Sequence, residues 1–312
     1  MNTLRGRHFV SLMDYTREEL VSIFSLATRL KAELKANHPH RLLEGKTLAM
    51  IFEKPSTRTR ISFETGIYQL GGTGLYLSRN DLQLGRGETI PDTARVLSRY
   101  VDCIMARTYA HKTITDLATY SSVPVINGLT DYLHPCQALT DYFTMQEEFG
   151  PIAGRKLCYL GDGSNNMVHS LLVGAAIFGV SISIGTPEKY RPAEEILAWT
   201  RKHGAETGAR VEIVHDATAA VKDADVLYTD VWMSMGQEED REAKFALLQP
   251  FQINAALLSK AAPKAIVLHC LPAHRGEELA SEVMDGPQSR VFDQAENRLH
   301  VQKALMVKLL AE

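Results

Sequence analysis

The sequence predicts an α/β protein of two domains, each with a parallel β-sheet flanked by helices. Short apolar or β-branched runs alternate with helical patterns along almost the whole chain, the rhythm of successive strand, helix and strand units. That rhythm breaks once, at EEFGPIAG (residues 147–154), where two glycines and a proline interrupt the helical period, and then it restarts. With 312 residues there is enough chain for two cores of ordinary size. The division is expected near residue 150, giving domains of 1–150 and 151–292 and leaving a final segment, 293–312, to be placed.

The first set of strands is KTLAMIF (46–52), GLYLS (74–78), VDCIMAR (101–107) and VPVING (123–128), each followed by a helical pattern or a turn. The second set is KLCYLGD (156–162), VSISIG (180–185), VEIVHD (211–216), VLYTDVW (226–232) and AIVLHCLP (265–272). The last stretch, AENRLHVQKALMVKLLAE, has the spacing of an amphipathic helix. Its apolar face needs a partner, and periodicity leaves open which domain supplies it.

Composition narrows the function. A chain that is 45% hydrophobic and 23% charged is that of a soluble globular protein. A net charge of -3 argues against general affinity for nucleic acid or anionic membranes, so any anion site must be a local concentration of charge. Four cysteines in a chain this long do not read as a disulfide framework, and the N-terminus has no apolar signal core, which points to a reduced, cytoplasmic protein. The longest apolar run, SLLVGAAIFGVSISIG (170–185), holds three glycines and is too short to span a membrane. It reads as a buried helix running into a strand.

Five segments carry chemistry. In FEKPSTRTRISFETG (52–66), Lys54, Arg58 and Arg60 surround Ser56, Thr57 and Thr59 where a strand turns into a helix. Cations at the positive end of a helix destabilise it unless an anion is present, and hydroxyls, free amides and an arginine fork are the donors a phosphate requires. In HPCQALTDYF (134–143), Pro135 suits the first helical position and puts His134 at the cap. A histidine at the positive end of a helix stays neutral and can donate a hydrogen bond to a carbonyl oxygen. A zinc site at His134 and Cys136 would need a second ligand pair, which the sequence lacks.

YLGDGSNNMVHSLL (159–172) partly resembles a dinucleotide-binding turn, but Asn166 stands where a third glycine belongs and the next strand does not end in an acidic residue. TDVWMSMG (229–236) and IVLHCLPAHRGEE (266–278) each begin as a strand and end in polar or reactive residues, the place where ligands gather in an open α/β sheet. Alternation along a strand would put His269 and Cys270 on opposite sides, making them poor joint metal ligands.

Taken in order, STRTR (56–60), HPCQ (134–137), SMG (234–236) and HCLP (269–272) resemble the ornithine carbamoyltransferases, and the resemblance covers essentially the whole chain. It implies two α/β domains, the first binding carbamoyl phosphate and the second the amino acid, with the C-terminal helix packing back on the first domain. It implies that Ser56, Thr57, Arg58 and Thr59 hold the phosphate, and that Arg107, His134, Gln137 and Thr59 address the carbamoyl group. Arg298 matches a late phosphate-side arginine, and Gln83 matches a residue that a neighbouring subunit inserts, so a homotrimer with shared active sites is implied. Asn166, Asp230, Ser234 and the backbone of Met235 match positions that hold the α-amino and carboxylate ends of ornithine, with Cys270 and Leu271 near the side-chain amine. The reaction implied is attack of the δ-amine of L-ornithine on carbamoyl phosphate, giving L-citrulline and phosphate, with Arg107, His134, Cys270 and Arg58 as the catalytic set and domain closure excluding water. No metal or organic cofactor is expected, because the acyl phosphate is already activated. The alternatives are a carbamoyltransferase for putrescine, acetylated ornithine or aspartate and, more remotely, an NAD-dependent oxidoreductase.

Overall fold

A computed structural model of the protein describes residues 4–79, 82, 87–233 and 241–311. It contains two compact units, Met1–Thr140 with Asn297–Glu312, and Asp141–Glu296.

The first unit opens with α1 (Arg17–Lys35), started by a reciprocal cap in which Thr16 accepts from the Glu19 amide and the Glu19 carboxylate accepts from the Thr16 amide. Four strands follow with their helices: β1 (Thr47–Phe52), α2 (Thr57–Gln69), β2 (Thr73–Ser78), α3 (Ile90–Leu97), β3 (Cys103–Arg107), α4 (His111–Tyr120), β4 (Val125–Leu129) and the start of α5 (Pro135–Phe149). The strands lie parallel in the order β2-β1-β3-β4. Every residue of β3 and β4 is buried, as expected of parallel strands covered on both faces. Ala49, Ile51, Ile104, Ile114, Leu117 and Val125 belong to one core cluster.

The second unit holds β5 (Lys156–Leu160), α6 (Asn166–Phe178), β6 (Ser181–Gly185), α7 (Glu194–Thr207), β7 (Val211–Val214), α8 (Ala217–Val221), β8 (Val226–Thr229), α9 (Arg241–Leu248), α10 (Ala255–Leu258), β9 (Ile266–His269) and α11 (Ser281–Met284). Its five strands are parallel in the order β7-β6-β5-β8-β9. The apolar run at 170–185 is indeed a buried helix running into a strand: α6, capped by Asn165 and ended by Gly179 in the left-handed region, then β6. No helix among the described residues is long and apolar enough to cross a membrane.

The final helix, α12 (Val291–Leu310), enters the first unit from Asn297 onward. Its Lys303 donates to Gln69 Oε1 at 2.8 Å, and its side chains press on Gly66 of α2, where an added Cβ would lie 3.2 Å from Lys303 Cγ. The division between the compact units falls inside α5, between Thr140 and Asp141. The EEFGPIAG signal marks where a helix ends, and a helix can continue past the point at which one core gives way to another.

Both sheets reverse direction once. In the first, β1 is followed by β2 on one side and β3 on the other; in the second, β5 is followed by β6 on one side and β8 on the other. Loops leaving the carboxyl ends of strands that flank such a reversal diverge and leave a crevice, the general ligand position in open α/β sheets. Ser56, Thr57, Arg58 and Thr59 follow β1, Arg107 ends β3, Asn166 follows β5 and Asp230 follows β8.

Candidate active site

On the first unit, Ser56 is the cap of α2 and its hydroxyl accepts from the Thr59 amide at 3.2 Å. The first turn of α2 contains no acidic residue, so nothing built into the helix offsets its positive end. Arg58 is half-buried and forms no ion pair or hydrogen bond among the described residues. Arg60, counted in the basic cluster by the sequence, points elsewhere: it pairs with Glu64 at 3.2 Å and lies over the Tyr76 ring at 3.9 Å. Lys54 is buried, 3.4 Å from Asp131 and above the Tyr109 ring.

Arg298 of α12 ties three distant segments together. It donates to Gln137 Oε1 at 2.7 Å and to Thr59 Oγ1 at 3.3 Å, and all three side chains are buried. Arg107 closes β3, where the register with β4 shifts between Ala106 and Arg107, the kind of irregularity that re-aims a side chain at a strand end. His134 precedes α5, is buried, and has its pKa driven well below the usual imidazole value, first by burial and then by the charges of Arg298 and Arg107. The imidazole is thus neutral, as its place at a helix start predicts, but burial is the main cause. Thr57 is exposed at the same turn.

On the second unit, Asp230 follows β8 and Cys270 follows β9, adjacent strands of the sheet. Cys270 Sγ donates to Asp230 Oδ1 at 2.9 Å, and the Val231 amide donates to the same oxygen at 2.8 Å. Burial raises both pKa values, and the Asp230 charge adds to the rise at Cys270, which goes well above the usual thiol value. The thiol is therefore protonated at neutral pH: a hydrogen-bond donor and not a thiolate nucleophile. Asn166 opens α6 at the end of β5, the strand beside β8. Leu271 takes φ 60, in the left-handed region that a branched-chain residue rarely adopts.

Alternation failed at His269 and Cys270. Asp230, His269 and Cys270 each offer a ligand atom within 4.8 Å of the others, because β9 ends at His269 and the chain turns immediately afterwards. His269 nonetheless has its own partners. Its Nδ1 accepts from the Leu271 amide at 2.8 Å, so Nε2 carries the proton and donates to the buried Glu278 Oε1 at 3.2 Å. Its amide donates to Gln294 Oε1 at 2.9 Å. Glu278 and Gln294 hold the Cys270 turn in place, and sequence reading missed both. The available signal was a pair of glutamates seven and eight residues beyond Cys270 in a stretch otherwise ending a strand.

The glycines of GDGSNN serve packing. A Cβ on Gly161, at φ 130, would lie 3.3 Å from Trp232 Nε1, and one on Gly163 would lie 2.5 Å from the Tyr190 carbonyl oxygen. Gln83, Ser234 and Met235 lie outside the described residues.

Two profiles together cover the chain: the carbamoyl-P binding domain of aspartate/ornithine carbamoyltransferase matches residues 7–147, and the Asp/Orn binding domain matches 153–309. The chain belongs to the aspartate/ornithine carbamoyltransferase family. It is 58% identical to the ornithine carbamoyltransferase of Thermococcus kodakarensis over 308 residues, covering 99% of this chain and 98% of that one. It is 55% identical to a Pyrococcus furiosus protein named ornithine carbamoyltransferase, anabolic, over 99% of this chain and 98% of that one. The solved structure of the P. furiosus ornithine carbamoyltransferase superposes with a TM-score of 0.96 at 55% identity, over 99% of both chains. The names of these relatives agree with the resemblance to the ornithine carbamoyltransferases carried by STRTR, HPCQ, SMG and HCLP.

Proposed function

We propose that this family member transfers the carbamoyl group of carbamoyl phosphate to the δ-amine of L-ornithine, giving L-citrulline and phosphate. The observation that carries this reading is the chain of contacts from Gln137 through Arg298 to Thr59, which sets a buried guanidinium at the start of a helix that lacks any first-turn acid. Such a place suits a dianionic phosphate.

In this reading Ser56, Thr57, Arg58, Thr59 and Arg298 receive the phosphate, while Arg107, His134, Gln137 and Thr59 address the carbamoyl carbonyl. As the amine attacks, the carbonyl carbon becomes tetrahedral and negative charge develops on its oxygen. It collapses by breaking the bond to the phosphate oxygen; charge moves to the leaving group, and the attacking nitrogen gives up one proton, to the departing phosphate or to solvent. Donors fixed in advance stabilise both charges without reorganising, and a neutral His134 donates without repelling the arginines beside it. Asn166, Asp230, Ser234, Met235, Cys270 and Leu271 receive the amino acid. Asp230, acidic and backed by the Cys270 thiol, suits a cationic amine on arrival, in contrast to the cations that a second carboxylate would demand.

The amine has a solution pKa near that of lysine, about 10.4, and attacks only when neutral. Activity should therefore rise with pH into the alkaline range, and a flat profile from about pH 6 to 9 would contradict this step. The deciding experiment is citrulline formation from carbamoyl phosphate with L-ornithine, compared with L-aspartate, putrescine and N-acetyl-L-ornithine at matched concentrations. Turnover with another amine alone would retain the phosphate-side roles and overturn those of Asp230, Ser234 and Cys270.

A homotrimer with Gln83 supplied by a neighbour belongs to the same reading. Ile61 and Tyr68, seven residues apart on α2, and Leu75 on the edge strand β2 are exposed apolar residues, which supports a partner surface on this unit. Sedimentation should give three times the 34.7 kDa chain mass. Four free cysteines support a reducing, cytoplasmic location, and the word anabolic in one relative's name favours the biosynthetic direction.

A further inference from the structure

We infer that Lys244 and Asp162 form a positioning pair for the amino-acid substrate, holding the β5–α6 turn that presents Asn166. The inference rests on the assignment of Asn166 and Asp230 to ornithine.

Asp162 sits in the middle of that turn with its two carboxylate oxygens divided between different tasks. Oδ1 accepts from the Ser164 amide at 2.9 Å and from the Ser164 hydroxyl at 2.6 Å, which curls the chain toward Asn165, the cap of α6, and Asn166, its first residue. Oδ2 meets the ammonium of Lys244 at 2.6 Å, with side-chain exposures of only 8% for Asp162 and 11% for Lys244. Lys244 lies on α9, the helix that the chain enters directly after the segment 234–240, and its ammonium also stands 5.1 Å from the centre of the Tyr190 ring.

The rest of the turn is held from both sides. Trp232, two residues beyond Asp230, is buried against Gly161 and meets Phe245 of α9 edge-on, with ring centroids 5.3 Å apart. Gly163 donates its amide to Thr186 Oγ1 at 3.1 Å, and the Tyr190 carbonyl accepts from that same hydroxyl at 2.9 Å. The turn is thus packed on Trp232 and on the Tyr190 backbone, and Lys244 ties it by an ion pair. An exposed pair of this kind would contribute little. A nearly dry one, with one carboxylate shared between the lysine and the turn amide, has its geometry fixed. The pair therefore links α9 to Asn166 through Asp162, and neither residue needs to touch the substrate.

The test is steady-state kinetics of the full-length protein with both substrates varied, alongside thermal melts. Variants are Lys244→Met, Lys244→Arg and the double variant Lys244→Met/Asp162→Asn, which leaves no unpaired charge behind. Citrulline formation by the unaltered protein tests the activity itself; its absence would overturn the assignment and this inference together. Given that activity, Lys244→Met is expected to raise KM for ornithine by tenfold or more, with KM for carbamoyl phosphate within twofold. Lys244→Arg should recover most of the loss. The double variant should melt close to the unaltered protein yet keep the raised ornithine KM. Unchanged ornithine KM in the folded double variant, or parallel changes in both KM values, would show that the pair is merely structural and overturn the inference.

Discussion

The two units carry the same kind of sheet but opposite chemistry at the strand ends. The first gathers Arg58, Arg107 and Arg298 around hydroxyls at a helix start and keeps His134 neutral among them. The second gathers Asp230, a protonated Cys270 thiol and a buried Glu278 against His269. Burial drives both sets of pKa shifts, and in each unit it favours the uncharged form of the titrating group: imidazole in one, thiol in the other. The lesson is that one fold can serve an anion and a cation. The sign of charge at the strand ends is set by a few loop residues and not by the sheet.

If the contrast is correct, removing a charge on one side should change only that side's substrate. The largest effect is expected at Arg107. In the proposed reading Arg107→Leu removes a donor that acts on charge developing during the reaction, so kcat should fall by about 10²–10³ with little change in ornithine binding. Rapid-quench or steady-state citrulline assays would show it, and a pure KM effect would contradict it.

Asp230→Asn comes next. Loss of a charge-assisted contact to the amine should lower kcat/KM for ornithine by about 10–100-fold, leaving KM for carbamoyl phosphate unaltered. An equal loss for both substrates would erase the division between the two units.

Glu278→Gln should have a smaller and more selective effect. The carboxylate orients His269, which receives the Leu271 amide, so its replacement should loosen the Cys270 turn and reduce ornithine kcat/KM by about tenfold.

The smallest effect concerns stability alone. Lys303 is fully covered in α12, and burial lowers its pKa to about 8 from the usual 10.5. Between those two values the folded chain holds fewer protons at this site than the unfolded chain, so its stability rises with pH through that window. The melting temperature of Lys303→Met relative to the unaltered protein should therefore be most favourable near pH 7 and decline toward pH 10. A pH-independent difference would mean that Lys303 has the same pKa in the folded and unfolded chain.

The strands were legible because parallel strands buried on both faces read as continuous apolar runs; among the described residues β1 to β7 have both ends within two residues of the segments their sequences predict, and β8 and β9 each end three residues early. The basic turn at the start of α2 was legible for a local reason: Ser56, Thr57, Arg58 and Thr59 share one turn, and capping rules apply within a turn. Other features needed the fold. Arg60 lies in the same basic cluster but faces Glu64 and Tyr76, which the local pattern does not reveal. His269 and Cys270 came together because a strand ended between them, and alternation holds only while a strand continues.

The sequence by itself determined the fold class, the order of the strands along the chain and the residue types that follow the strands, since these depend on periodicity and near neighbours. Only the tertiary structure decided that Arg298 would reach Thr59, 239 residues away, that Glu278 would orient His269, and that Lys244 would close on Asp162. Contacts of that kind join segments with no local pattern in common, and the geometry of packed sheets and helices, which sets them, is not written in any single stretch of residues.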